Sequence, residues 1–401
     1  MDFLKNKSFN STIILPASKS ISNRVLIVNM LCNNKLTVKN LSDADDTQIL
    51  QKALSAKEIE LNLDGAGTAL RFLTTFFAAK TRTEKILTGN ARMLQRPVGE
   101  LISAIVLLGG KIQFLEKIGF PPLKIFPSDM VGGEIELEAS VSSQFASALL
   151  LVAPALKNGL KLKLKGETVS ESYIEMTLKI LENFGISYIK KNNFIEIAPQ
   201  KFVPTTFCVE NDWTAASYFY QMLSVAGKGE IFFPNLNTES IQGDKIVAEI
   251  FEKLGVKTQN YKNGIKITAT NQNVDFLNIN LIKNPDLVQT LTVCCCLKNI
   301  PFHFSGIKNL QIKETDRIAA LIAECKKIGC ILTFKEKENA LCWNGQRSDI
   351  QQNIKISTYG DHRMAMSFAA VSLLFPVEIE NAEVVAKSFP RFWDEFLNLK
   401  K

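Results

Sequence analysis

Several features are scarce in this chain, and each scarcity removes a class of function. Histidine occurs only at His303 and His362, with no metal-ligand spacing around either, so a metal centre is not expected. The eight cysteines form no CxxC pair. Three of them, Cys294, Cys295 and Cys296, are adjacent in the apolar run 291–297, where neighbouring helix side chains point in different directions. Core packing in a reducing compartment is therefore expected, not a disulfide or a metal site. No GxxxxGK[ST] phosphate loop occurs, and the glycine turn at 65–68 lacks the third glycine of a dinucleotide fingerprint, so ATP and NAD have no support. The start, MDFLKNKSFN, has no apolar signal core. The uncharged stretch 364–377 carries serines and a proline and falls short of the roughly 18 apolar residues of a spanning helix, so a cytoplasmic protein is expected. Basic residues come only in short pairs such as Lys190-Lys191, and 47 basic against 40 acidic residues give a mild +7. That balance suits acidic small molecules and argues against nucleic acid.

What is present is an ordinary globular composition, 46% hydrophobic and 22% charged over 401 residues, enough for two or three domains. Four segments share one local design: AIVLLGGKIQF, KILENFGISYI, EIFEKLGVKTQ and ECKKIGCILTF. In each, an amphipathic helix stops at a glycine and passes into a strand. Gly110, Gly185, Gly255 and Gly329 are spaced by 75, 70 and 74 residues, which predicts a structural repeat. After the short strands of each copy comes a turn that opens a new helix, at Ser142-Ser143-Gln144, Asn211-Asp212, Pro285-Asp286 and Gly360-Asp361-His362-Arg363. Ser18-Lys19-Ser20 and Gly65-Ala66-Gly67-Thr68 add two more, making six equivalent junctions and a class of α/β architecture with two lobes of three units. Two prolines interrupt the pattern between Pro199 and Asp212 and place the lobe boundary there. No Gly/Ser linker occurs, so short crossings should join the lobes, with the binding site expected in the cleft between them.

The six junctions carry the chemistry. A helix N-terminus is a ready anion site, with unpaired amides and a positive dipole end. Ser18 or Ser20 is expected to cap a helix whose buried stripe is Ile21, Val25, Val28 and Leu31, with Lys19 and Arg24 in its first turns. The turn at Gly67 permits close approach of an oxyanion. Ser142, Ser143 and Gln144 have hydrogen-bonding capacity beyond one cap, which suits a polyol or phosphate. Asp212 and Asp286 each read as natural N-caps; Asp286, fixed by Pro285, also reads as a general base. Asp361 combines with His362 and Arg363 before a buried helix, whereas His303, in the strand-like PFHFSG, reads as structural.

Lys313-Glu314-Thr315-Asp316-Arg317 draws these features together. Ile318, Leu321, Ile322, Cys325 and Ile328 repeat with helical spacing, so a helix is expected to start near Lys313. That would put Lys313 and Arg317 against the positive dipole end, and Glu314 on the inward stripe. Cations at so many helix starts imply ligands bearing at least one phosphate and one carboxylate. Asp286 and Glu314 would supply proton transfers, with no covalent nucleophile required.

The ordered set PASKSISNR, GAGTALR, NARMLQRP, SSQFASALL, KETDR, YGDHRMAM and AKSFP resembles the EPSP synthase (3-phosphoshikimate 1-carboxyvinyltransferase) family over essentially the whole chain. The resemblance implies a two-lobed inside-out α/β barrel of six βαβαββ units, three per lobe, with residues 16–205 in one lobe and 1–15 plus 206–401 in the other. It implies transfer of an enolpyruvyl group from phosphoenolpyruvate to the 5-hydroxyl of shikimate 3-phosphate, by a monomer without metal or organic cofactor. Carried over by motif, shikimate 3-phosphate would be held by Lys19, Ser20, Arg24, Ser142, Ser143, Gln144, Ser170, Asp286, Asn309 and Lys313. Phosphoenolpyruvate would be held by Lys19, Gly67, Arg92, Gln144, Arg317, Arg363 and Lys387. Asp286 resembles the residue that takes the hydroxyl proton and Glu314 the one that protonates the methylene carbon, with Lys19 beside them.

Three departures adjoin the implied phosphoenolpyruvate site: Ala17 for a common Gly, Gly65 for a common Asn, and Phe72 for a frequent Pro. They bear on affinity and inhibitor sensitivity, not on the reaction. The sister transferase acting on UDP-N-acetylglucosamine would need a reactive loop cysteine, and none lies between Gly65 and Gly119. A non-catalytic anion-binding protein on this scaffold would not need to keep Asp286 and Glu314 together with every cation.

Overall fold

The computed structural model describes residues 8–138, 142–166 and 169–399. The absence of a signal core rests on a stretch whose first seven residues lie outside that range. The chain divides into two compact units, Ser18–Val209 and Met1–Ala17 with Glu210–Lys401. Local pairing decides these bounds against the expected 15/16 and 205/206. Thr206–Cys208 pairs in parallel with Thr37–Lys39 and so stays with the first unit. Ala17 bridges Asn211, and the Pro16 carbonyl accepts the Asp212 N–H at 2.9 Å, which holds both residues in the second.

The Ser18–Val209 unit contains α1 (Lys19–Leu31), α2 (Asp45–Ser55), α3 (Gly67–Lys80), α4 (Gly99–Leu107), α5 (Ser143–Val152) and α6 (Glu171–Asn183). The other contains α7 (Trp213–Ala226), α8 (Val247–Lys253), α9 (Val288–Lys298), α10 (Arg317–Lys327), α11 (His362–Phe368) and α12 (Phe392–Asn398). Within each unit the odd-numbered helices pack on one another as the inner layer. Their sequences explain why. In α1 every residue from Ile21 to Val28 is buried, and in α9 every residue from Val288 to Cys296, with all three adjacent cysteines among them. Helices buried on every side in this way must be covered all round. Among the even-numbered helices α6, ESYIEMTLKILEN, keeps a polar stripe and buries Ile174, Met176, Leu178, Ile180 and Leu181.

Four sheets share one order. Glu60–Asn62 and Lys85–Thr88 run parallel, followed by Leu123–Phe126 and Lys111–Phe114 antiparallel, and the same order recurs in the sheets built on 133–138, 9–12 and 277–280. Three of them realise strand, helix, strand, helix and hairpin in direct succession, whereas in the sheet built on 9–12 residues 18–209 intervene between its first strand and α7. The other two copies are reduced to parallel pairs, Thr37–Lys39 with Thr206–Cys208 and Ile354–Ile356 with Val377–Ile379, so the six units are not equivalent in their strands. Alternation sets the faces: in LKLKLK (160–165) the leucines are buried, while the lysines face Glu134, Glu136 and Glu138 across the ladder.

The glycine stops behave largely as expected. Gly185, Gly255 and Gly329 have φ of +77°, +85° and +80°, where a side chain would be strained. In the first copy the left-handed residue is Gly109, at +96°, one place before the expected Gly110. No helix among the described residues is long and apolar enough to cross a membrane.

Asp212 caps α7 as its sequence position predicts, its Oδ1 accepting N–H groups from Thr214 at 2.8 Å and Ala215 at 3.2 Å. Asp212→Ala is expected to lower unfolding stability by about 1 kcal/mol, read as a lower urea midpoint at unchanged slope.

Candidate active site

In the first unit, α1 begins at Lys19, and Ser18 occupies its N-cap in extended backbone. Neither serine caps it through its side chain, contrary to expectation: no side-chain cap bond forms, and Ser18 Oγ is buried without a hydrogen-bond partner among the described residues. Lys19 Nζ instead lies 2.9 Å from Asp46 Oδ2. In sequence Asp46 is one acid of the run SDADD, which reads as an ordinary helix start. Arg24 is 2% exposed and makes four hydrogen bonds inside the unit. Its Nε donates to Thr177 Oγ1 at 2.8 Å, Nη1 to the Ser20 carbonyl at 2.8 Å, and Nη2 to Ser147 Oγ and the Tyr173 carbonyl, both at 3.2 Å. Burial pulls its pKa down to about 10, because hydroxyls and carbonyls do not neutralise a cation.

The glycine turn lies against two arginines. A Cβ on Gly67 would collide with the guanidinium of Arg96, and Arg71 Nη1 donates to the Gly67 carbonyl at 2.8 Å. Arg71 and Arg96 are both buried. The sequence signal for Arg96 is its place before Pro97 in NARMLQRP, which does not set it apart from Arg92. Arg92, the one expected from that motif, is half-buried at the start of the short turn Met93–Gln95. Ser142 caps α5 through the Gln144 N–H at 3.3 Å, and Gln144 Nε2 donates to Thr68 Oγ1 at 3.0 Å, tying the starts of α5 and α3 together. Ser143 is buried in the first turn of α5, and Ser170, buried and left-handed at φ +58°, precedes α6.

The second unit corrects the reading of Lys313–Arg317. The helix α10 begins at Arg317, not near Lys313, because Asp316 caps it, accepting from Ile318 N–H at 3.1 Å and Ala319 N–H at 3.0 Å. Glu314 consequently lies on the segment before the helix, half-buried, and not on the inward stripe. Arg317 is 1% exposed and is held by three carboxylates: Nε to Asp361 Oδ2 at 2.6 Å, Nη1 to Asp286 Oδ1 at 3.1 Å and Nη2 to Glu314 Oε2 at 2.8 Å. Burial works against its charge, yet Asp361, Glu314 and Asp286 outweigh that cost and hold the guanidinium above its ordinary pKa.

Asp286 lies in the turn Pro285–Leu287 and does not cap by its side chain as expected. Its other oxygen accepts from Arg363 Nη2 at 2.7 Å, so it bridges two guanidinium groups. Asp361 caps α11 through the Arg363 N–H at 2.9 Å while gripping Arg317. His362 is buried, with Nδ1 3.8 Å from Asp361 Oδ1. Lys387 Nζ donates to the Gly360 carbonyl at 3.1 Å. Asn309 sits in the single-turn helix Lys308–Ile312 with a buried, unbonded Oδ1, and Lys313 follows directly. His303 lies on its strand with Nε2 2.9 Å from Glu338 Oε2.

A buried carboxylate missed by the sequence completes this set. Asp244 accepts from Thr214 Oγ1 at 2.5 Å and Asn284 Nδ2 at 3.1 Å, joining the start of α7 to the turn that carries Asp286. Burial and the neighbouring charge of Asp286 push its pKa up to about 6. Its signal is the internal repeat: SIQGD leads up to α8 as SDADD runs into the first turn of α2. Among the described residues no cluster of three His, Cys, Asp or Glu side chains is placed to hold a metal.

Residues 50–396 match the family described as EPSP synthase (3-phosphoshikimate 1-carboxyvinyltransferase). A 3-phosphoshikimate 1-carboxyvinyltransferase of Bacteroides fragilis is 44% identical over 388 residues, covering 96% of this chain and 94% of its own. One from Pasteurella multocida is 34% identical over 420 residues, with the same coverage. A solved EPSP synthase of Acinetobacter baumannii shares the fold, with a TM-score of 0.75 at 20% identity over 99% of this chain and 97% of that one.

Asp244 carries a pH signature. An acid whose folded pKa is raised binds its proton more tightly in the folded state. Stability therefore falls as pH rises from about 4, the usual aspartate value, to about 6, and the cost is complete above that. Asp244→Asn should remove this fall, giving a flatter stability profile between pH 4 and 6 in chemical denaturation; an unchanged profile would show that Asp244 titrates normally.

Proposed function

The chain belongs to the EPSP synthase family, and on that premise we propose how its residues divide the reaction. It transfers the enolpyruvyl group of phosphoenolpyruvate to the 5-hydroxyl of shikimate 3-phosphate, a step of the shikimate pathway toward aromatic amino acids, and releases phosphate.

Addition requires that the 5-hydroxyl lose a proton as its oxygen attacks C2 of phosphoenolpyruvate, and that C3 gain one. Elimination takes the added proton back from C3 and passes the proton held by the base to the departing phosphate oxygen as the tetrahedral intermediate expels phosphate. Two positioned carboxylates suffice. Asp286 takes the hydroxyl proton and Glu314 delivers the proton to the methylene carbon, with Lys19 supporting the developing charge. Shikimate 3-phosphate is held by Lys19, Ser20, Arg24, Ser142, Ser143, Gln144, Ser170, Asp286, Asn309 and Lys313. Phosphoenolpyruvate is held by Lys19, Gly67, Arg92, Gln144, Arg317, Arg363 and Lys387, and Arg96, pressed against Gly67, joins that set.

The observation that carries this division is the Arg317–Asp286–Arg363 bridge with Glu314 on the same guanidinium. It puts both acids of the proton chemistry on the cations assigned to the donor. An arriving carboxylate or phosphate competes with Asp286 for those cations, and an aspartate relieved of two positive neighbours is a stronger base. We place the reaction in the cytoplasm, supported by eight cysteines that are all free thiols, and assign it to a monomer on the family resemblance.

Phosphate should appear from phosphoenolpyruvate only when shikimate 3-phosphate is present. Release with UDP-N-acetylglucosamine as acceptor, or with no acceptor, would overturn the assignment. Glu314→Gln should lower turnover by roughly 10² or more while leaving the affinity for shikimate 3-phosphate nearly unchanged; near-normal turnover would move the acid role to Lys19 or His362.

A further inference from the structure

The chain enters α11 through a turn whose conformation is costly. The Asp361 N–H donates to the Thr358 carbonyl at 2.8 Å, and both residues between them, Tyr359 and Gly360, have positive φ, +53° and +68°. Glycine accepts this freely, but an L side chain crowds its own carbonyl there, and such turns ordinarily carry Asn, Asp or Gly at both central positions. Tyr359 is held there by its side chain. Its hydroxyl donates to Glu324 Oε1 at 2.7 Å, while Glu324 Oε2 accepts the Ser357 N–H at 3.1 Å and lies 2.7 Å from Lys327 Nζ.

Glu324 is fully buried. It stands on α10 seven residues after Arg317, close to two helical turns, and therefore on the same face. The helix thus grips the 357–361 segment at two points roughly 10 Å apart along its axis, Arg317 on Asp361 and Glu324 on Ser357 and Tyr359. Lys387 binds the intervening Gly360 carbonyl at 3.1 Å. Three groups assigned to the donor, Arg317, Arg363 and Lys387, therefore take their placement from this turn or its next residues.

We propose that Glu324 and Tyr359 are positioning residues for phosphoenolpyruvate: they hold the strained 357–361 turn in the one conformation that sets Asp361, Arg363 and the Lys387 contact in register with Arg317. The proposal rests on the assignment of those cations to the donor. Both residues act through the turn, and a loosened turn should weaken donor binding while sparing the acceptor.

Two variants at one position separate positioning from stability. Tyr359→Phe removes the hydroxyl anchor alone; Tyr359→Gly removes the anchor and also relieves the backbone strain. In steady-state assays both should raise KM for phosphoenolpyruvate about tenfold, the scale of one lost hydrogen bond to a charged group, with kcat within about twofold and KM for shikimate 3-phosphate unchanged. Tyr359→Gly should do so although its thermal midpoint is no lower than that of the unaltered protein. Glu324→Gln, which keeps an acceptor, should give a smaller rise in the same parameter. An unchanged donor KM in both Tyr359 variants, or a wild-type donor KM in Tyr359→Gly, would overturn the proposal. So would equal rises for both substrates that track lost thermal stability. If the unaltered protein fails to turn over these substrates, the functional assignment falls. The anchor is then judged by amide exchange, which should be faster at Ser357 and Asp361 in Tyr359→Phe and would overturn it if unchanged.

Discussion

A single buried cation, Arg317, sets the terms for the second unit. Removing a guanidinium from water is expensive, and leaving one of its partners missing in such a site typically costs about 3–5 kcal/mol. The charge is tolerated because three carboxylates meet it, each from a different segment: Glu314 just before α10, Asp286 before α9 and Asp361 before α11. One side chain therefore fixes three helix entrances relative to each other. Asp361 extends the constraint by capping α11, and Asp286 by accepting from Arg363. Precise placement of groups that exchange protons and bind anions is what a site preorganised for charge requires.

The first unit solves the same problem with different chemistry. Arg24 is as deeply buried as Arg317 and also ties several helices, through Thr177 on α6, Ser147 on α5 and the Ser20 carbonyl on its own helix. Its guanidinium also lies 5.4 Å from the Phe72 ring centroid on α3. Burial dominates both arginines, yet their pKa values move in opposite directions, because hydroxyls and carbonyls solvate a cation while carboxylates neutralise it. The layering that allows such pinning follows from the repeat: inner helices that are buried all round must be wrapped by sheets and amphipathic helices. Their N-termini are left as the positions where polar side chains converge.

The strained turn at Tyr359 belongs to the same logic. A left-handed tyrosine persists only where its surroundings over-determine it, and here a fully buried glutamate does so from the helix that also carries Arg317. Glu324 looks in sequence like one more charged residue on an amphipathic helix. Only its zero exposure and its bonds to Ser357 and Tyr359 distinguish it from Lys326 or Lys327 nearby.

By itself the sequence determined what depends on near neighbours. Helical periodicity, glycine stops, the Asp212 cap and the buried cysteine helix all reflect interactions within a few residues, and the ordered motifs identified the family. It misplaced the start of α10 by four residues, because apolar spacing does not reveal which acid caps a helix, and Asp316 was hidden inside its own charge cluster. It also took the six units as equivalent, although two have only paired strands. What the tertiary structure alone decided is who neutralises whom. Arg317 meets Asp286 and Asp361 across 31 and 44 residues, Lys19 meets Asp46 across 27, and Arg96 reaches Gly67 through packing of separate segments. Charge partners are chosen by burial and distance in the folded chain, and a linear pattern of cations and acids is compatible with many pairings.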